Sequence, residues 1–153
     1  MIHELRIEYD NILLRQIGSD DMEVIRKWRN DSGNTRYLTR IPYITEEMQK
    51  EWFQRYLTNH DEMFFAIEET RELNRVVGSL ALYNFEDDKA EFGKILIGDE
   101  EAHGKKIGVK AVKAVLLLAF KQLRISLVYL YVYEENIAAM KVYRQAGFEV
   151  ISE

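Results

Sequence analysis

Hydrophobic residues recur along this chain with two spacings, one typical of strands and one typical of helices. Short apolar runs bounded by polar turns predict strands over residues 12–17, 63–68, 75–84, 89–98, 127–133 and 148–151. Apolar positions three and four residues apart predict helices over residues 20–28, from residue 45 onward, and over residues 107–123 and 136–146.

The order of these elements predicts a mixed α/β fold with helices on both faces of a sheet. Three strands follow one another between residues 63 and 98, and the acidic turn at 86–88 is typical of a hairpin, so we expect them to be antiparallel. The helix at 107–123 has one charged stripe, which predicts that most of its surface packs on the sheet. The strand at 127–133 is apolar on both faces and is expected to be central.

The composition favours a single globular domain over residues 1–153. Hydrophobic residues make up 47% of the 153 positions, which is enough for a proper core. The absence of cysteine excludes disulfides and thiolate catalysis, and it fits a reducing cytoplasm. The first residues do not resemble a signal peptide, and the apolar run at 114–120 is too short to span a bilayer. We therefore expect a cytoplasmic protein that does not bind membranes.

A glycine-containing turn joins the strand at 89–98 to the long helix after it. The turn reads His103-Gly104-Lys105-Lys106-Ile107-Gly108. A strand, such a turn and a helix start together point free backbone N–H groups at an anion such as a phosphate. Alternatively, Gly104 and Gly108 only let the chain enter the helix.

The charge around this turn narrows the choice of ligand. Four lysines cluster there, Lys105, Lys106, Lys110 and Lys113, in a chain whose net charge is −5. A local cationic patch on an acidic protein indicates an anionic cofactor. A nucleic-acid-binding domain is the weaker alternative, because it conflicts with the overall charge.

The spacing of residues excludes several other familiar sites. The turn is not a P-loop, because Lys106 stands where Ser or Thr should hold magnesium. The chain has no G-x-G-x-x-G dinucleotide motif and no G-x-S-x-G nucleophile motif. The histidines His3, His60 and His103 are too scattered for a metal site, so no metal is expected. Chemistry here would then be a direct transfer between two bound ligands.

Two segments resemble signatures of the GNAT superfamily of acetyl-CoA-dependent N-acetyltransferases. Residues 103–108 are similar to its Q/R-x-x-G-x-G/A pyrophosphate loop, with His103 in place of Gln or Arg and Lys106 in place of a glycine. Five positions match its C-terminal signature in spacing, namely Asn136, Ala139, Tyr143, Gly147 and Phe148. The order of elements also matches, which implies a GNAT-like mixed, mostly antiparallel sheet. Trp28-Arg29-Asn30 and residues 44–53 resemble the RimJ/RimL-like branch.

The resemblance implies acetyl-CoA as co-substrate and a set of residues that bind it. These are His103, Gly104, Lys105, Lys106, Ile107 and Gly108 of the turn, the backbone near Leu96 and Ile97, and Asn136. Backbone N–H groups near Leu96 and Ile97 would also polarise the thioester carbonyl. Asn136 is expected to cap a helix as well.

Two side chains are candidates for catalysis. Tyr143 would protonate the departing thiolate, and the alternative is a core aromatic on a helix face. Ala90-Glu91-Phe92 resembles the segment that carries the general base in histone-type members, so Glu91 is the leading base; the alternative is a rim glutamate near the hairpin turn. Strand alternation predicts that Glu91 shares one face with Gly93, Ile95 and Ile97.

The acceptor amine is less well defined. A polyamine suits the acidic balance, whereas an amino sugar or a protein N-terminus suits Trp28-Arg29-Asn30 as substrate-binding residues. Family members continue through two strands after Phe148, but this sequence stops at Glu153. The alternatives are an open pocket, a second subunit that completes it in a homodimer, or a truncated sequence. A non-catalytic CoA-binding or protein-interaction module of the same fold is the rival function.

Overall fold

Six strands and four helices make up the described part of the chain, residues 1–34 and 42–151 of a computed structural model. The strands are β1 (Ile7–Tyr9), β2 (Ile12–Gln16), β3 (Glu62–Glu69), β4 (Arg75–Glu86), β5 (Lys89–Ile97) and β6 (Leu127–Tyr129). The helices are α1 (Met22–Asn30), α2 (Glu46–Thr58), α3 (Ile107–Leu117) and α4 (Ile137–Gln145). A wider, π-type turn at Leu118–Gln122 extends α3. Glu153, and with it the expectation about the chain end, lies outside the described residues.

The six strands form one sheet in the order β1-β2-β3-β4-β5-β6. All neighbours are antiparallel except β5 and β6, which are parallel. The predicted mixed, mostly antiparallel sheet is therefore confirmed, and so is the hairpin at residues 86–88. Strand β1 is not predicted by the sequence pattern, because a strand of three residues is too short for its alternation to stand out.

Helices cover both faces of the sheet, as predicted. On one face α3 packs across β1 and β2, α4 packs against α3, and together they bury the larger core. On the other face α1 and α2 enclose a smaller core that contains Ile17, Ile25, Tyr56, Phe64 and Ala81. The sheet thus separates an α3/α4 face from an α1/α2 face.

Two β-bulges shift the pairing between β4 and β5. Ser79 pairs with Leu96, but Ala81 pairs with Gly93, so β5 has one extra residue between these pairs. Lys94 lies in this bulge with a φ of 56°. A second shift, between Tyr83 and Glu86 on β4, restores the original register near the turn. Bulges of this kind redirect side chains and often lie beside active sites.

The prediction that Glu91 shares a face with Ile95 and Ile97 is wrong. The bulge at Lys94 reverses the alternation of side chains along β5. Ile95 and Ile97 pack into the core under α3, whereas Glu91 shares the α1/α2 face with Leu96. The base candidate therefore lies on the face covered by α1 and α2.

The prediction of a central strand at 127–133 is also wrong. Strand β6 ends at Tyr129, pairs with β5 alone and lies at the edge of the sheet. Beyond it Tyr131 and Tyr133 are 82% and 61% exposed. Residues 148–151 form no strand in the described part of the chain; Phe148 packs instead against Tyr143. Apolar composition predicts both segments as strands, but it cannot tell whether a partner strand lies beside them.

Candidate active site

The turn before α3 has the backbone shape of an anion site. Gly104 and Lys106 both have left-handed φ angles, 78° and 60°, a conformation that favours glycine. The first hydrogen bond of α3 runs from the N–H of Lys110 to the carbonyl of Lys106 at 3.2 Å, so the N–H groups of residues 107–109 have no partner within the helix. Ile107 is almost completely buried, whereas Gly108 and Val109 are partly exposed at the start of the helix.

Side-chain contacts hold this turn in place, and ion pairs neutralise part of its positive charge. Nε2 of His103 donates to the carbonyl of Ile97 at 2.8 Å, which leaves only Nδ1 of the ring to face a ligand. Lys105 pairs with Glu72 at 2.6 Å and Lys110 pairs with Asp10 at 2.9 Å. In residues 1–34 and 42–151, no ion pair involves Lys106 or Lys113. Two of the four lysines of the predicted cationic patch are thus paired with acidic side chains.

Strands β5 and β6 separate well before β5 ends. Their pairing ends at Glu91 and Tyr129, while β5 continues to Ile97 and the chain after Tyr129 leaves the sheet toward α4. The opening between residues 92–97 and residues 130–136, here named the β5–β6 gap, leaves one backbone edge of β5 without a strand partner in the described part of the chain. Such an edge can bind an extended ligand through main-chain hydrogen bonds. Leu96 and Ile97 lie on it, as their predicted role requires.

Glu91 stands at the start of the β5–β6 gap, held by two donors from β4. The hydroxyl of Tyr83 donates to its Oε2 at 3.1 Å, and the side-chain amide of Asn84 donates to its Oε1 at 2.9 Å. Burial, and then the charge of Glu91, raise the pKa of Tyr83, so Tyr83 remains a donor at neutral pH. Neither residue stands out in the sequence pattern, although counting back from the hairpin turn places them opposite Glu91.

Tyr143 approaches β5 from the other face. It lies on α4, whose N-terminus Asn136 caps by accepting a hydrogen bond from the N–H of Ala139 at 3.2 Å. The ring of Tyr143 packs edge-on against Phe92, with centroids 5.9 Å apart. Burial raises the pKa of Tyr143, which keeps its proton on at neutral pH. Because Phe92 and Glu91 are successive residues, the acid and base candidates lie on opposite faces of one strand.

A cavity of about 300 Å³ lies between α1, α2 and the face of the sheet that carries Glu91. Its lining combines apolar and polar side chains, Ile17, Met22, Ile25, Trp52, Phe64 and Leu96 with Arg29, Gln49, Ser79 and Lys94. Along β4, Ser79 is four residues from Tyr83, the partner of Glu91, which is about 13 Å of strand. A wider hollow of about 490 Å³ lies along α4 between Glu134 and Gln145, and neither catalytic candidate lines it.

Lys94 projects from the bulge into this region, a placement that its sequence position alone does not reveal. Its ammonium forms an ion pair with the mostly buried Glu62 and lies 4.7 Å from the centre of the Tyr83 ring and 5.6 Å from that of Phe64. Cations are attracted to aromatic faces at such distances. Glu62 and the two rings therefore form a cation-binding corner beside the cavity.

The three residues predicted to bind substrate have different surroundings. The ring of Trp28 packs directly on Gly98, where an added Cβ would lie 2.1 Å from Cγ of Trp28. The amide of Asn30 donates to the carbonyl of Ile44 at 2.9 Å and accepts from its N–H at 2.8 Å, which fixes the segment before α2. Arg29 alone among the three lines the cavity.

Comparison with known proteins places the chain in a family. It matches the family model of the acetyltransferase (GNAT) domain over residues 11–149. Because this match covers most of the sequence, the chain belongs to the GNAT acetyltransferase family. It is accordingly an acetyltransferase domain with acetyl-CoA as co-substrate, and the predicted class of enzyme is confirmed.

Individual relatives are more distant. Spermidine N(1)-acetyltransferase of Escherichia coli K12 is 27% identical over 143 residues, 94% of this chain and 75% of that protein. An uncharacterised protein of Methanocaldococcus jannaschii is 29% identical over 93% of this chain, which spans only 29% of that longer protein. The Vibrio cholerae spermidine N-acetyltransferase, in a crystal structure with CoA and spermine, superposes with a TM-score of 0.80 at 23% identity, over 90% of this chain and 80% of that one. This last likeness shows the shared fold.

Two further features are absent from the described residues. No group of three or more metal-ligating side chains comes together among them. None of the helices in residues 1–34 and 42–151 has the length and apolar character needed to cross a bilayer.

Proposed function

We propose that the domain acetylates a primary amine bound beneath α1 and α2, with Glu91 as general base and Tyr143 as general acid. The observation that carries the proposal is the placement of these two side chains on opposite faces of β5, beside the β5–β6 gap. Direct acyl transfer needs a proton acceptor at the nucleophile and a proton donor at the leaving group. A thioester lying in the gap would have one on each side.

The turn at 103–108 is proposed to bind the pyrophosphate of acetyl-CoA. The left-handed residues Gly104 and Lys106 open the turn, and the N–H groups of residues 107–109, Gly108 among them, lie at the start of α3 without a partner within the helix. Lys106 and Lys113 would add charge, and Nδ1 of His103 one further polar contact. Lys105 would contribute mainly through its backbone, since its ammonium pairs with Glu72. The free edge of β5 at Leu96 and Ile97 and the helix cap at Asn136 border the path from this turn to the thioester.

The proposed reaction follows from the protonation state of the amine. An amine with a pKa near that of lysine costs about 4–5 kcal/mol to present as the neutral form at pH 7. Glu91, positioned by Tyr83 and Asn84, takes that proton directly or through water. The amine nitrogen then bonds to the acetyl carbon and loses a second proton to water as the carbon–sulfur bond breaks. Tyr143 gives its proton to the departing sulfur and regains one from water, so that the products are the amide and the CoA thiol.

The acceptor classes stay those predicted from the sequence, namely a polyamine, an amino sugar or a protein N-terminus. The Escherichia coli relative is a spermidine N(1)-acetyltransferase, and this similarity favours a small amine as the acceptor. Placement in the RimJ/RimL-like branch rests on Trp28-Arg29-Asn30 and residues 44–53 and stays a prediction. We also propose that the single domain works in the cytoplasm, in keeping with the cysteine-free sequence. A second subunit that completes the pocket would meet the exposed edge beyond β6, at Tyr131 and Tyr133.

Two measurements on the full chain test this function. Release of free CoA thiol from acetyl-CoA is followed with spermidine, glucosamine and an N-terminal peptide, each against a reaction without amine. We expect amine-dependent release that Glu91→Gln abolishes. Calorimetric titration with CoA should show binding that survives in Glu91→Gln. Binding without amine-dependent release would favour the non-catalytic module, and no heat with CoA would remove the basis of the proposal.

A further inference from the structure

Arg29 carries a charge that no side chain of the described residues pairs with. Its guanidinium is half-buried in the wall of the cavity. In residues 1–34 and 42–151 it makes no hydrogen bond or ion pair; its one recorded charge interaction is with Glu62, which is paired to Lys94 instead.

A half-buried guanidinium without a partner is energetically unfavourable unless a ligand pairs with it. Withdrawing a guanidinium from water destabilises its charged form, and burial accordingly lowers the pKa of Arg29. Half-buried arginines in proteins are usually paired with a carboxylate or phosphate through their planar fork of N–H donors. An unpaired one that lines a cavity indicates an oxyanion that arrives from outside.

The other charged side chains of the cavity also favour a negatively charged ligand. Of the described residues that line it, two are cations, Arg29 and Lys94, and none carries a carboxylate. The ion pair with Glu62 neutralises Lys94, so a net positive charge remains at Arg29. A polyamine lying along this cavity would bring like charges together, whereas a negatively charged group would complement it.

We propose that the amine acetylated by this domain carries an oxyanion, a carboxylate or a phosphate, which Arg29 binds inside the cavity. This inference rests on the proposed function and specifies its substrate class. The amine end of such a molecule reaches toward Glu91 along the same face of the sheet, on which Ser79 and Leu96 line the cavity and Tyr83 holds Glu91. A phosphorylated amino sugar, which carries an amine and a phosphate on one small ring, is one member of this class.

Equilibrium binding tests the inference separately from catalysis. The chain has two tryptophans, Trp52 in the cavity wall and Trp28 next to Arg29, so their fluorescence reports on occupancy. With CoA present, dissociation constants are measured for two matched pairs, glucosamine against glucosamine 6-phosphate and 3-aminopropanol against β-alanine, and for spermidine. We expect one anionic member to bind at least tenfold more tightly than its uncharged counterpart. The pair that shows the preference tells phosphate from carboxylate.

Three variants test whether Arg29 causes the preference for the anionic ligand. Arg29→Gln should remove it, Arg29→Lys should restore part of it, and Arg55→Gln, which removes a charge from the exposed side of α2, should leave it unchanged. Equal binding within both pairs, tighter binding of spermidine, no binding of any probe, or a preference that persists in Arg29→Gln overturns the inference. Thiol release with spermidine but no anion preference would reject the inference and leave the function standing. An anion preference without thiol release would support an anion site at Arg29 and reject the proposed acetyl transfer.

Discussion

The hydroxyl of Tyr83 donates a 3.1 Å hydrogen bond to Oε2 of Glu91, and this contact orients the carboxylate from the neighbouring strand. Asn84 donates to the other oxygen at 2.9 Å. Each carboxylate oxygen accepts one hydrogen bond and keeps a further lone pair for a proton from the amine. A base held in this way needs little reorganisation when it reacts, which is the condition for efficient proton transfer.

Replacement of Glu91 by Gln should lower kcat by ~10²–10⁴, because the amide cannot take the proton of the amine. The dissociation constant for CoA, measured by calorimetry, should change little. Tyr83→Phe is the graded comparison, and it should lower kcat by only about 3–10-fold because it removes one of two orienting hydrogen bonds. A Glu91→Gln enzyme that retains more than a third of the wild-type kcat would exclude Glu91 as base.

Tyr143→Phe should also slow turnover by ~10²–10⁴ with CoA affinity nearly intact. Because burial raises the pKa of Tyr143, the wild-type rate should not fall as pH rises through the ordinary tyrosine range near 10. Steady-state kinetics from about pH 6 to about pH 11, on both sides of the ordinary tyrosine pKa, would measure both effects. Weakened acetyl-CoA binding with preserved turnover would instead assign Tyr143 to packing against Phe92 and Phe148.

The left-handed backbone at Lys106 gives a prediction about the loop. Lys106→Gly should raise the free energy of unfolding by up to about 1 kcal/mol, since glycine adopts this conformation without strain. Lys106→Val should lower both stability and CoA affinity, because a β-branched side chain tolerates positive φ poorly. Urea unfolding and CoA calorimetry on both variants measure this. Equal affinity in the two variants would show that the loop binds CoA without this backbone shape.

Gly98→Ala should destabilise the protein by about 1–3 kcal/mol. The added methyl would lie 2.1 Å from Cγ of Trp28, so the indole must move. Gly18→Ala is a matched control, since its methyl would meet its nearest neighbour, Asp21, at an ordinary 3.8 Å. Thermal unfolding and the fluorescence of Trp28 report the effect. Similar stabilities for the two variants would mean that Trp28 does not pack on Gly98.

The buried carboxylate of Glu69 gives a prediction about acid stability. Burial alone raises its pKa, but hydrogen bonds from the N–H of Leu73, the amide of Asn11 and the N–H groups of Glu72 and Arg71 outweigh this and lower the pKa to about 2. Its contribution to stability is therefore complete above the ordinary value of 4.5 and is lost as pH falls from there toward 2.

Glu69→Gln should thus lower the unfolding free energy near pH 7 by about 2–3 kcal/mol and flatten its decline below pH 4.5. Urea unfolding at several values between pH 3 and pH 7 measures the difference. Glu47→Gln, on an exposed turn of α2, serves as control and should behave like the wild type. An unchanged slope in Glu69→Gln would mean that other groups govern acid unfolding.

The sequence by itself determined those parts of this protein that depend on short stretches of chain. The period of apolar residues set α3 and α4, and polar turns set the antiparallel run of β3, β4 and β5. The cap at Asn136 and the turn before α3 could be recognised because their residues are neighbours in sequence. Local propensity and spacing decide such features, and both can be read directly from the chain.

Only the tertiary structure decided which side chains meet. Whether β5 contains a bulge at Lys94 depends on its pairing with β4, and that one residue moved Glu91 to the opposite face from Ile95. Strand β6 is short because the chain leaves the sheet after Tyr129, which its apolar composition does not reveal. The contact between Trp28 and Gly98 and the position of Arg29 in the cavity wall likewise depend on segments that are distant in sequence. Register and long-range packing are properties of the whole sheet, and a one-residue shift in either reverses the side chains that a site presents.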